Sequence, residues 1–333
     1  MAILYITKLG AAVRKDGERL QVHFEGELLT SVPLREIERV ILLGPIQMSA
    51  AMQHTLLKRN IPIIFASSRG RYRGILSPVP ENTQLLLQQV SQYHNFDYRL
   101  QTSKMILACK IRYQRTILRR RAQTLVDHQL TQAADQIHDL LSGLKNATTI
   151  EQSMGFEGQA SAVYFGVLGR CFLPPTVEFT HRNRRPPKDP VNSLLSFGYM
   201  LLMSEIVGVL TGLGLHVGLG FLHQVAVNRP SLALDLVEIF RQPVVDRLVL
   251  RLFNRRILSP SDFVPAEKNG VWLKDEGRGC FLSAYEQALT SHFQHPQRRN
   301  KKTTFRQLIR DEASLFRRSI SEQQIFSPLS LDL

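Results

Sequence analysis

Acidic residues are what this sequence is short of: 28 Asp and Glu stand against 42 Lys and Arg, a formal net charge of +14. The resulting pI of about 10.0 points towards a polyanionic partner, although a basic balance alone does not separate DNA from RNA or from an anionic membrane surface. Cysteine is scarce too. Cys109, Cys171 and Cys280 are odd in number and scattered, which excludes a disulfide framework, argues against a zinc knot and suits a reducing cytoplasm. No unbroken apolar run reaches the roughly 18 to 20 residues of a membrane span, so no membrane partner is expected. The opening MAILYITKLGAAV lacks the basic leader, long apolar core and cleavage pattern of a secretory signal, and a cytoplasmic location is expected. Internal repeats and low-complexity tracts are absent as well. What remains is ordinary globular material: 333 residues, 44% hydrophobic and 21% charged, enough for one large domain or two ordinary ones.

The pattern predicts an α+β chain, with a small N-terminal β-rich domain followed by a larger all-α C-terminal domain. Over residues 1–77, ILYI, LQVHF, ELLTSVPL, RVILLG and IPIIFAS are short β-branched or aromatic runs separated by turn signals such as Lys15-Asp16-Gly17 and Arg69-Gly70. One helix interrupts them, from Ser49 as its cap to Arg59, with Met52, Thr55 and Leu56 inward. This unit reads as a dimerisation or scaffold module. Ser77-Pro78-Val79-Pro80 disfavours helix and marks a linker, so residues 78–96 are assigned to the linker and a first helix, Glu81 to Tyr93. Residues 97–333 then form a helical catalytic domain. Its helices are placed at Asp97 to Val126, Gln129 to Leu144, Thr149 to Leu168, Asn192 to about Leu210, Ser231 to Arg241, Pro243 to Arg256, Leu282 to Phe293 and Thr304 to Ser319. Lys274 to Gly279 is expected to be a turn between two short segments, and GLGLHVGLG at 212–220 a turn between helices rather than a dinucleotide loop.

Cations cluster at three places. Lys104, Lys110, Arg112, Arg115, Arg119, Arg120 and Arg121 lie on one helix, read as a solvated face or, because the run is one-signed, as a nucleic-acid surface. Arg182, Arg184, Arg185 and Lys188 crowd a loop stiffened by Pro186, Pro187 and Pro190, fit to grip a phosphate backbone. His295 to Lys302, with Arg298 and Arg299, is a basic break that reads as an arm near DNA or a solvated connection. Arg229 and the side chains Asp246, Arg247, Arg251, Arg255 and Arg256 add polar faces to the helices near them.

The chemistry is expected at FLHQVAVNRPSLALDLVEIFR. Pro230 suits the first turn of a helix, and Asp235 and Glu238, three residues apart, share one face of it. Carboxylates on a face otherwise fit for burial need a cation; His223, at the preceding bend, offers a nitrogen. Upstream, Glu157 stands in SMGFEGQASAVYFGVL on a helix where Gly155 and Gly158 clear space. Each has an ordinary reading: Glu157 as a carboxylate near a helix start, His223 as a hydrogen-bonded histidine, Asp235 and Glu238 as ion-pair partners of Arg229 or Arg241, Asn192 as a helix cap. His54, His181 and His216 read as structural or surface residues.

LLGPIQMS, IPIIFASSRGRYRG, GFEGQASAVYF, RRPPKDPVNSLLSFGYMLL, GFLHQ and RPSLALDLVEIFR together resemble, in order and spacing and over nearly the whole chain, the CRISPR-associated adaptation integrases, the first-numbered Cas proteins. The resemblance implies a homodimer that assembles with a dimer of the small second-numbered Cas protein and inserts short DNA fragments into a CRISPR array. It further implies metal ligands at Glu157, His223 and Glu238 for Mg²⁺ or Mn²⁺, with Asp235, Asn192 and Tyr199 in support and Arg182, Arg184, Arg185, Lys188, Arg229, Arg298 and Arg299 towards DNA. The implied reaction is phosphoryl transfer, a DNA 3′-hydroxyl attacking a phosphodiester at the repeat boundary; water in its place gives nuclease activity. The alternatives are a non-catalytic DNA-binding scaffold of the same fold, a general structure-selective nuclease and a membrane-surface protein.

Overall fold

The structure, a computed structural model, describes residues 2–78, 82–173, 177–297 and 301–329. Strands β1 Ala2–Ile6, β2 Ala12–Asp16, β3 Arg19–Phe24, β4 Glu27–Pro33, β5 Ile37–Leu43, β6 Gln47–Met48, β7 Ile63–Ala66 and β8 Tyr72–Leu76 build two four-stranded sheets. One runs β1-β5-β7-β8, parallel except for the last pair; the other runs β4-β3-β2-β6. The expected helix is present as α1, Ala50–Lys58, with the Ser49 side chain accepting from the Met52 amide and with Met52 and Leu56 buried. β2 and β8 escaped the sequence reading because AVRKD and YRGIL interleave cations and carry little apolar signal.

β5 explains how the two halves join. Its side chains alternate, so Val40 and Leu42 face a core shared with Val13, Leu20, Val22 and α1, while Ile41 and Leu43 face the helices. A parallel strand buried on both faces reads as a continuous apolar run, which RVILL is.

Among the described residues, nine further α-helices follow α1: α2 Thr83–His94, α3 Phe96–Leu125, α4 His128–Leu144, α5 Ile150–Val167, α6 Pro190–Gly212, α7 Ser231–Phe240, α8 Arg247–Asn254, α9 Asp275–Thr290 and α10 Phe305–Glu322. Thr149 caps α5 and Thr304 caps α10; α6 begins before the expected Asn192, with Asp189 rather than Asn192 as its cap and Pro190 in its first turn. α3 is the hub of the helical part, packed against α2, α4, α5 and α7. α6 is long and apolar enough to cross a membrane, but 78% of its apolar window is buried inside the protein.

Three expectations need correction. The turn expected at Lys274 to Gly279 is the start of α9, where Asp275 and Glu276 meet the positive end of the helix. Gly277 is there for close packing, since a Cβ would lie 2.8 Å from Leu273 Cδ1. A hairpin lies just before it, β9 Phe263–Ala266 with β10 Gly270–Leu273; with β11 Phe293–Gln294 and β12 Lys302–Thr303 it adds short strands to a mostly helical C-terminal part. The helix expected to start at Pro243 is instead continuous with α7 through a π turn, Arg241–Asp246, which absorbs the proline's missing donor. Asp246 is accordingly 1% exposed rather than on a polar face. Of the linker, Val79, Pro80 and Glu81 lie outside the described residues.

Buried charges tie the halves together. Glu205 on α6 holds Arg39 of β5 at 3.2 Å and Arg306 of α10 at 3.1 Å, and Arg306 reaches Glu286, which also accepts from Tyr5 of β1 at 2.7 Å. Gly208 makes room for Arg39, because a Cβ would sit 2.7 Å from its Cζ. Glu312 of α10 is buried with one oxygen unpartnered, the other accepting from the Leu329 amide. Burial, with Asp311 adding to it, outweighs that bond and pushes Glu312 up to about 8. A carboxyl whose folded value is raised stabilises the fold fully below its unfolded value, about 4.3, and loses that contribution as pH rises towards 8. Glu312→Gln is therefore expected to gain melting temperature over wild type progressively between pH 5 and pH 8. A difference independent of pH would refute the buried-acid assignment.

Candidate active site

α3, α5 and α7 converge on one ammonium. Lys110 Nζ of α3 lies 2.5 Å from Glu157 Oε1 of α5 and 2.7 Å from Glu238 Oε2 of α7. Lys110 was expected among the cations of a solvated or nucleic-acid-facing helix; it is buried, and only some of that run, Arg112, Arg119 and Arg120, is exposed. The same faces of α3 and α5 repeat the contact one turn on, where Gln114 donates to Ser161 at 3.0 Å and Ser161 donates back to Glu157 at 2.7 Å. Glu238 takes a second cation, Arg241 Nη1, at 3.1 Å. Burial works to raise the Glu238 carboxyl, but Arg241 and Lys110 overcome it and hold the group at about 2, ionised. The Lys110 contact to Glu238 is an ion pair without hydrogen-bond alignment, so Oε2 keeps an unmatched lone pair.

Asp235, one turn before Glu238, is fully buried and organises the bend at 221–223. It accepts from the amides of Phe221, Leu222 and His223 and from His223 Nδ1 at 2.7 Å. Pairing Nδ1 with a buried carboxylate fixes the ring orientation and turns Nε2 away from that acid. His223 belongs electrostatically to the same cluster, lowering Glu238 in turn. Arg229, expected towards DNA, is exposed.

A cavity of about 600 Å³ opens beside this cluster, with Glu157, Lys110 and Phe165 on one wall and Arg184, Tyr199 and Arg241 on the other. Gly158 and Gly166 on α5 leave open space where side chains would stand. Gln242 also lines the cavity, and both of its amide atoms are buried without a partner.

The basic loop is pinned to α6 by Asn192, which is fully buried. Its carbonyl oxygen accepts from Arg182 at 2.7 Å and the Asn183 amide at 3.0 Å, and its nitrogen donates to the His181 carbonyl at 2.9 Å and to Asp189 at 2.5 Å. Arg182, expected to face DNA, spends its guanidinium on Asn192 and Ser196. Arg184, Arg185 and Lys188 remain exposed, while Arg298 and Arg299 lie outside the described residues. Tyr199 donates to Asp246 at 2.6 Å and Tyr164 does so at 2.9 Å. Burial lifts Asp246 to about 6 against the two tyrosines, and burial beside that acid puts both phenols well above their ordinary value. The Tyr199 ring carries Arg241 4.9 Å and Arg182 5.6 Å from its centroid.

A second concavity of about 630 Å³ lies beyond the π turn, between α3, α8 and α9, lined by Arg120, Arg121, Arg247, Arg251 and Arg255 with no carboxylate among its described residues. Partial burial, then the charges of Arg120 and Arg251, push the Arg247 guanidinium down. Sequence reading placed Asp246 and these arginines on one polar side; the π turn separates them.

Among the described residues, no three of His, Cys, Asp and Glu stand together as a ready-made ion cage; Lys110 fills the space between Glu157 and Glu238. The donors nonetheless suit a hard divalent ion: two carboxylates already closing on one cation, a Glu238 oxygen that meets that cation without an aligned hydrogen bond, and an imidazole turned by Asp235.

Removing the Asn192 amide leaves buried donors and an acceptor unmatched, at a cost of about 1–3 kcal/mol. Asn192→Ala is expected to lower the denaturation midpoint and to speed protease cleavage within residues 181–188. Unchanged cleavage there would mean that the loop is held by something else.

The family described as CRISPR associated protein Cas1 matches residues 4–287. A CRISPR-associated endonuclease Cas1 of Thermus thermophilus is 34% identical over 295 residues, 88% of each chain. A Cas4/Cas1 exonuclease–endonuclease fusion of Rhodospirillum rubrum is 33% identical over 96% of this chain and 55% of its own. A Cas1 protein from Thermotoga maritima superposes with a TM-score of 0.82 at 24% identity, over 98% of this chain and 99% of the other. A casposase bound to an integration product superposes with a TM-score of 0.87 at 22% identity, over 100% and 95%. The match along the sequence and the two-part β-then-α architecture agree: this chain belongs to the Cas1 family.

Proposed function

We propose that this protein is a metal-dependent DNA integrase and endonuclease of CRISPR adaptation, joining the 3′-hydroxyl ends of short DNA fragments to the repeat boundary of a CRISPR array. The observation that carries the proposal is the convergence of Glu157 and Glu238, from separate helices, on one cation at the edge of a cavity rimmed by Arg184 and Arg241. Two acids drawn from distant stretches onto one buried cation are costly to maintain for structure alone. Relatives named as endonucleases and a casposase with an integration product point the same way.

Glu157, His223 and Glu238 would hold Mg²⁺ or Mn²⁺. When bound, that ion supplies Lewis-acid stabilisation of the charge that builds on the phosphorus oxygens and acidifies the attacking hydroxyl. Asp235 holds the His223 ring by Nδ1 and so sets where Nε2 is presented. Arg241, fixed between Glu238 and the Tyr199 ring, and Arg184 face the phosphate and balance its charge. The 3′-oxygen forms the new P–O bond as the bond to the departing 3′-oxygen breaks, and the hydroxyl proton ends on the leaving oxygen. Water as nucleophile gives cleavage from the same site. Asn192 acts at one remove, by holding the basic loop in place.

DNA would lie across the cavity and continue to the arginine-lined concavity. Both open along α3, about 15 Å apart for Lys110 and Arg120 at 1.5 Å per residue. Assembly as a homodimer is supported by β4, a free sheet edge that exposes Leu28 and Leu29 at 50% and 51%. Partnership with Cas2 is supported by the fold shared with one component of a Cas6-RT-Cas1–Cas2 complex, matched over 36% of that chain at a TM-score of 0.82.

A strand-transfer assay with purified partner and a repeat-bearing duplex tests the proposal. Glu157→Gln, His223→Ala and Glu238→Gln are each expected to reduce 3′-hydroxyl-dependent joining by at least about a hundredfold while DNA retention persists. Normal joining by Glu157→Gln would favour a chain that binds DNA without acting on it; cleavage without joining would favour a general nuclease. Arg247→Ala and Arg251→Ala should weaken binding across all sequences and lower the slope of log affinity against log salt by about one each. An unchanged slope would place the DNA elsewhere.

A further inference from the structure

Lys110 is the cation that Glu157 and Glu238 hold between them, and a divalent ion seated on the same two oxygens would need the same space. Ligand oxygens stand about 2.0–2.1 Å from Mg²⁺; the ammonium lies 2.5 Å and 2.7 Å from them. Two cations cannot share that gap without strong repulsion at contact; with neither present, Glu157 would lose its ion pair and Glu238 would keep only Arg241. The two occupants therefore exclude each other.

Lys110 also lines the cavity beside Arg184 and Arg241. Its flexible four-carbon stem lets the ammonium swing from the acids into that space while α3 stays packed. Arg241 has no such freedom, being clamped by Glu238 and the Tyr199 ring. We propose that Lys110 is a resident stand-in for the divalent ion: a DNA phosphate entering the cavity draws the ammonium away and opens the seat. The inference rests on the metal reading of Glu157 and Glu238. It makes Lys110 a positioning residue that couples DNA binding to ion binding. Because the coupling is reciprocal, DNA tightens the ion by the factor by which the ion tightens DNA. A free protein would then hold its ion weakly and cut little outside its substrate.

The test is Mn²⁺ binding to the full chain, followed by the electron paramagnetic resonance of free Mn²⁺, with and without a short phosphorothioate-linked oligonucleotide ending in a 3′-deoxy sugar. Wild type is expected to bind weakly alone and about tenfold more tightly with the oligonucleotide. Lys110→Met should bind at least about tenfold more tightly than wild type without DNA, and the oligonucleotide should add little. Lys110→Arg keeps a bulkier cation between the acids and should bind Mn²⁺ more weakly than wild type, which provides a readout if Lys110→Met does not fold. Wild-type binding with Lys110→Met equal or weaker, or with Lys110→Arg unchanged, overturns the role of Lys110 and leaves the metal reading standing. No Mn²⁺ binding by wild type in either condition overturns both.

Discussion

The structure depends on bringing two carboxylates from separate helices onto one buried ammonium. Glu157 and Glu238 reach Lys110 of α3 from α5 and α7, and Glu238, the more deeply buried of the two, takes Arg241 as a second cation. That requirement accounts for the central placement of α3, which brings Lys110 between them. It accounts for Arg241 one turn after Glu238, and for the stack of Tyr199 beneath Arg241. Asp246 completes the sequence: it fixes the Tyr199 hydroxyl from a π turn whose wider winding points the acid inward.

Around this charge cluster, polar side chains act as fasteners rather than participants. Asn192 uses its whole amide on the basic loop, and Asp235 uses both oxygens on the bend that carries His223. Each is more than a hydrogen bond to a neighbour. Each satisfies several backbone groups of an irregular segment that would otherwise be buried unpaired. The loops at the cavity edge are therefore irregular in shape and fixed in position.

The sequence made the elements legible wherever local chemistry agrees with tertiary placement. Ser49, Thr149 and Thr304 start their helices as caps should, and RVILL declares a strand covered on both sides. Glu157, His223, Asp235 and Glu238 could be singled out from residue type and from family resemblance. Lys110 could not. It lies in a helix studded with eight cations, and only packing against α5 and α7 distinguishes the buried one from its exposed neighbours; the one local hint was its position in sequence between Cys109 and Ile111, both buried. Asp246 was misplaced for a related reason, because a period of 3.6 residues assigns faces wrongly across a π turn. Lys274 to Gly279 misled because glycine was taken as a turn signal when Gly277 serves close packing.

β5 carries a consequence for how such a protein can move. Its Val40 and Leu42 complete one core and its Ile41 and Leu43 another, and Arg39 is locked to Glu205 within the second. No hinge can operate at that strand without tearing open both interiors at once. The β-rich part and the helices packed on Ile41 and Leu43 therefore move together rather than swinging about that strand.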